Sequence, residues 1–138
     1  MDYQTLATEL ADAAYTGLSD EAAADALNAI DATKFGERMV TYRAILAEVD
    51  GAGDVLDAIE AAGATNADVK WAMIGIKADG IDIGHPKTMA MVDALVAGSV
   101  LTQAQGDALK GMAPNISRAT ELGLGTVKVG DVQFARSI

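Results

Sequence analysis

The chain has 138 residues, with 20 acidic side chains against 10 basic ones, a net charge of −10 and no cysteine. The length suits one domain, and the missing cysteines exclude disulfides, thiolate catalysis and cysteine-bound metals. The charge repels phosphate backbones. A nucleic-acid reader needs a basic stripe, whereas the densest basic cluster here, Lys34, Arg38 and Arg43, is interrupted by Glu37 and Glu48.

Tyr3, Leu6 and Leu10 fall at helical spacing, so a first helix is expected over residues 2–13. Gly17 breaks it. Ser19 is a good N-cap for a second helix, with Asp20 and Glu21 in its first turn and Ala23, Leu27 and Ile30 on its inner face. A longer helix is expected from Lys34 to Val49, with Met39, Tyr42, Ile45, Leu46 and Val49 inward. Gly51 and Gly53 punctuate the chain before a short helix carrying Val55, Leu56 and Ile59. The next helix is capped by Thr65 or Asn66, shows Val69, Met73 and Ile76 as its stripe, and ends at Gly80.

Pro86 suits the first turn of a further helix, which Gly98 closes. Thr102 and Gln105 form a capping-box pattern for another. Pro114 forces a break, and Asn115 or Ser117 caps a short helix through Leu122. The "TVKV" run, 126–129, then alternates in β-branched style and reads as a short strand or extended segment. "GDVQFARSI" returns to a helical turn. The expected fold is an all-α, irregular bundle of about seven short helices, with that β-like segment near the C-terminus, forming a single domain over 1–138. Residues 123–138 are expected to dock on a neighbouring subunit or to lock the helices together.

No motif carries a reaction. Asp79, Asp82 and His85 recur in the loop "DGIDIGHP", but the spacing is not that of a calcium loop, and a single histidine cannot make a two-histidine zinc site. They read as turn residues flanking a helix. "GLGTVKVG" lacks both the Walker pattern and the strand-then-helix context of a dinucleotide loop. Gly123 reads as a helix terminator and Gly125 as a turn. The serines lie at caps, turns or the terminus, away from any triad. No catalytic, cofactor-binding or metal-binding residue is assigned.

Trp71 sits off the Val69/Met73/Ile76 stripe. It is either a core side chain, the commoner fate, or an interface anchor. It joins Val127, Val129, Val132 and Phe134 of the tail as the candidate interface residues. The N-terminal "MDYQTLATEL" has no basic or apolar leader region, so no secretory signal is expected. No apolar stretch approaches the ~20 residues that span a bilayer, so no membrane partner is expected.

A resemblance supplies what the residues do not. "TLATELADAAYTGLSDEAAADALNA" resembles the opening of a family of small proteins of tailed bacteriophages. That family carries an "LxxEL" helix and a "GYxGMSDxxAAxxLN" segment. Leu6, Glu9 and Leu10 stand in the first pattern; Tyr15, Gly17, Ser19, Asp20, Leu27 and Asn28 stand in the second. Asp12-Ala13-Ala14 replaces the Asp-Pro that often precedes the tyrosine. "IDIGHPKTMAMVDALVAGSVLTQAQGDAL" is similar to the family's middle, and "SRATELGLGTVKVGDVQFAR" to its "SRAEELGLGxVxxxDVxxAR" finish. The match covers most of the chain apart from residues around 50–70.

The resemblance implies a virion or morphogenesis protein: a structural component of head, head–tail connector or tail. Its partners would be other phage structural proteins and copies of itself. It would be synthesised in the host cytoplasm and carried in the virion, without enzymatic activity or cofactor. The competing class is a small acidic regulatory or inhibitory protein that mimics nucleic-acid charge. A mimic gathers its acids on one face, whereas these are scattered over helix starts.

Overall fold

The computed structural model describes residues 1–138. In chain order the elements are α1 (Tyr3–Leu10), α2 (Ala13–Thr16), α3 (Asp20–Asn28), β1 (Ile30–Phe35), β2 (Met39–Val40), α4 (Tyr42–Glu48) and α5 (Ala52–Ala62). They continue with α6 (Ala67–Lys77), β3 (Ile81–Asp82), α7 (Pro86–Ala97), α8 (Gln103–Lys110), β4 (Asn115–Ser117), α9 (Arg118–Glu121) and α10 (Val129–Ser137). The fold is helix-rich, 60% helical in ten helices, but not purely α. Two small sheets pair β1 with β4 and β2 with β3. Contacts group the chain into two compact units, a terminal unit of Met1–Lys34 with Asn115–Ile138 and a central unit of Phe35–Pro114.

In the terminal unit, the expected first helix divides. Asp12 accepts from the Ala14 amide and caps α2, so a new turn starts where the periodicity suggested continuation. Ser19 caps α3 through the Ala22 amide, with Asp20 and Glu21 in the first turn. Leu6, Leu10, Leu27, Val127 and Val132 meet in one core. Ser117 caps α9. That helix ends in a Schellman motif: Gly123 N donates to Thr120 O, Leu124 N donates to Ala119 O, and Gly123 adopts φ 74°.

The "TVKV" run is not a strand. Thr126 to Lys128 are irregular, and Val129 opens α10. The Val127 backbone is satisfied by a side chain instead of a neighbouring strand. Asn28 Nδ2 donates to Val127 O at 2.7 Å, and Asn28 Oδ1 accepts from Val127 N at 2.8 Å. One amide thus makes both ladder bonds a partner strand would make.

In the central unit, the helix expected over Lys34–Val49 shrinks to Tyr42–Glu48. The residues before it spend their backbone groups on distant partners. Gly36 N donates to Pro114 O, Arg38 N donates to the Asp82 carboxylate, and Met39 and Val40 pair antiparallel with Asp82 and Ile81. Pairing and helix formation compete for the same donors, and the pairing buries Val40 completely. Gly84 is needed there, because a Cβ on it would overlap the Gly36 carbonyl oxygen. Asn66 caps α6, Pro86 starts α7, and Thr102 with Gln105 forms the capping box of α8. Ile45, Val55, Val69, Ile76 and Ile83 fill the core.

Candidate interaction surfaces

The chemistry-bearing side chains of the terminal unit are tied to one another. The Arg118 guanidinium grips Glu9 with two bonds, Nε to Oε1 at 2.7 Å and Nη2 to Oε2 at 2.9 Å. Tyr15 donates its hydroxyl to the same carboxylate. Arg118 also reaches Glu121 at 3.1 Å, and Lys34 meets Glu121 at 2.9 Å. Arg118 holds the Glu9 carboxyl below its ordinary range, and Lys34, then Arg118, does the same to Glu121. Arg118 itself is pushed upward by Glu9 and Glu121. Burial, then Glu9, raises the Tyr15 phenol. Both carboxylates therefore stay ionised and occupied at neutral pH. Arg136 adds two further bonds, donating to Asp20 at 2.6 Å and to Tyr15 O at 2.8 Å.

The loop "DGIDIGHP" is equally committed to structure. The Asp82 carboxylate accepts from Arg38 N and Gly84 N, each at 3.0 Å. His85 Nδ1 accepts from Lys87 N and caps α7. No group of three or more His, Asp or Glu side chains is placed to hold a metal ion. No helix is long and apolar enough to cross a membrane.

The five candidate interface residues divide by burial. Val127 (1% exposed) and Val132 (0%) lie in the terminal unit's own core, so they offer no surface to a partner. Their burial follows from the Asn28 clip and from the packing of α10 on α1 and α3. Val129 (39% exposed) and Phe134 (51%) stand outward on α10, where the Phe134 ring leans on Tyr3 with centroids 4.5 Å apart. Tyr3 in turn donates to Asp131, which Lys128 N also contacts.

Trp71 is 66% exposed, so it is not a core side chain. Val69 and Met73 point inward, and residue 71 lies between them on the opposite side of α6. Lys70 Nζ stands 5.5 Å from the Trp71 ring centroid. The ring borders an open groove of about 700 Å³ between α6 and α7, floored by Ala72, Ala90, Met91 and Ala94 and edged by Asp68 and Lys87. Ile74, one turn from Trp71, is also exposed. A large aromatic ring thus stands exposed beside small residues. The sequence signal for it was the phase of Trp71 against its helix stripe. Nothing in the sequence marked Ala90 or Ala94, since the groove forms only when α6 and α7 pack.

Comparison of the chain with family models, with characterised proteins and with solved structures returns no match.

Proposed function

We propose that this protein is a structural component of a tailed bacteriophage particle, acting through protein–protein contacts in the head, the head–tail connector or the tail. The reading rests on the phage-family resemblance of its sequence. One observation supports it: the residues that carry the resemblance at the two ends of the chain bond to one another. Glu9 meets Arg118, Asn28 meets Val127, and Asp20 meets Arg136. Motif residues used in this way hold a folded shape together. They leave the exposed side chains, Trp71 and Phe134 foremost, as the groups available to other proteins.

The test is a phage encoding the chain in which its gene is interrupted by a stop codon. The reading predicts incomplete or unstable particles in electron micrographs, with completion restored when the chain is supplied in trans. Complete, stable and infectious particles made without it would refute the reading.

A further inference from the structure

Two aspartates precede glycine in this chain, at Asp50–Gly51 and at Asp79–Gly80. An aspartyl–glycyl step is open to attack by its own side chain, because glycine brings no Cβ to hinder approach to its nitrogen. Attack also needs that nitrogen free of a hydrogen bond and of packed neighbours. The fold treats the two steps in opposite ways. Gly80 N donates to Gly75 O at 2.7 Å, and a Cβ on Gly80 would lie 2.8 Å from the Val40 carbonyl oxygen. Its backbone is thus both bonded and packed. Gly51 N donates to no backbone carbonyl, and nothing lies within 4 Å of its Cβ position. Asp50 and Gly51 are both exposed, between α4 and α5, and Asp50 joins none of the ion pairs.

Asparagine amides undergo the same ring closure, but here each is committed elsewhere. Asn28 clips Val127, Asn66 accepts from Asp68 N and Val69 N, and Asn115 Nδ2 donates to Ala32 O and Lys34 O. We infer that Asp50–Gly51 is a modification site, where the native chain converts its own backbone to an isoaspartyl linkage. The Gly51 nitrogen attacks Cγ of the protonated Asp50 carboxyl. The N–Cγ bond forms, the C–OH bond breaks, and the hydroxyl leaves with the amide proton as water. The product is a cyclic imide. Water then opens the ring and returns a proton to the nitrogen. Opening at Cγ restores aspartate. Opening at the main-chain carbonyl leaves the chain running through Cγ, with a free α-carboxylate. The net change in mass is zero, but one methylene has entered the backbone. It enters between Val49 and Ala52, both only 5% exposed in the central unit's core. The isomerised chain therefore packs that core less well.

The test is prolonged incubation of the full chain, native in mildly acidic buffer and, in parallel, unfolded in urea. Digestion with a protease that cuts before aspartate but not before isoaspartate, followed by mass spectrometry, locates the conversion. In the native chain, a peptide of unchanged mass that resists cutting before Asp50 accumulates. Conversion at Asp79 is slower by about tenfold or more, because the Gly80 hydrogen bond must open first. In urea the two steps convert at similar rates, since no fold distinguishes them. Asp50→Glu removes most of the native signal, because a glutamate closes the larger ring far more slowly; Asp79→Glu leaves it in place. Both side chains are exposed, and thermal melting verifies that the variants fold. The aged wild type melts lower than the fresh protein, and aged Asp50→Glu does not.

A native chain that converts at Asp79 as fast as at Asp50 overturns the inference. So does a native chain that converts at neither site while the unfolded chain converts at both. An isoaspartate content unchanged by Asp50→Glu overturns it as well.

Discussion

Asn28 shows how much can depend on one side chain. Its amide supplies both a donor and an acceptor to Val127, whose own side chain is buried in the same core. No hydrocarbon side chain can do this, and aspartate can only accept. Asn28→Ala should therefore destabilise the chain by about 1–3 kcal/mol, since it strands a buried donor and acceptor together. Urea unfolding followed by circular dichroism reads the change as a lower midpoint at an unaltered slope. A midpoint equal to wild type would mean that the clip contributes nothing. The sequence did not announce this bond. Asn28 and Val127 are far apart in the chain, and alternating β-branched residues ordinarily signal a strand partner rather than an amide.

At the scale of elements, α7 ends as α9 does, but with a worse residue. Ser99 N donates to Val96 O and Val100 N donates to Leu95 O, the pattern of a Schellman motif, while Ser99 is held at φ 60°. Gly123 fills the equivalent place after α9 without a Cβ to strain. Ser99→Gly should thus stabilise the chain by about 0.5–1 kcal/mol, read as a melting temperature a few degrees higher; a lower one would contradict the strain. Helix ends were the most legible feature of the sequence, because a cap acts over three or four residues. Ser19, Asn66, the Thr102–Gln105 box, Ser117 and Pro86 all stand where local chemistry put them. Residues 34–40 were misread because their partners are Asp82, Ile81 and Pro114, and no local window contains those. The candidate surface was half legible: the phase of Trp71 set it off its helix stripe, yet left a core position the commoner expectation, and the alanine floor belongs to the packing of two helices.

For the whole molecule, charge sets the response to pH. Glu9, Glu121 and Asp131 of the terminal unit, and Glu48 of the central unit, all have carboxyls held below their ordinary values. Arg118 does this for Glu9, Lys34 and then Arg118 for Glu121, the Lys128 amide for Asp131, and Arg38 for Glu48. A carboxyl depressed by folding contributes stability that is present above its unfolded value, 4.5 for glutamate, and is lost as pH falls through its folded value. The melting temperature should therefore be level near neutrality and fall below about pH 4.5. Glu9→Gln should lower the neutral plateau by about 1–2 kcal/mol and flatten the acid limb. Stability that rises on acidification to pH 4 would mean that repulsion within a chain of net charge −10 outweighs these pairs.

At this scale the proposed function lies in contacts between proteins. Its most direct measurement is the copy number of the chain in purified particles, counted by quantitative mass spectrometry against other particle proteins. A structural component is expected at a fixed copy number from one preparation to the next. Particles that lack the chain, while infected cells contain it, would contradict it.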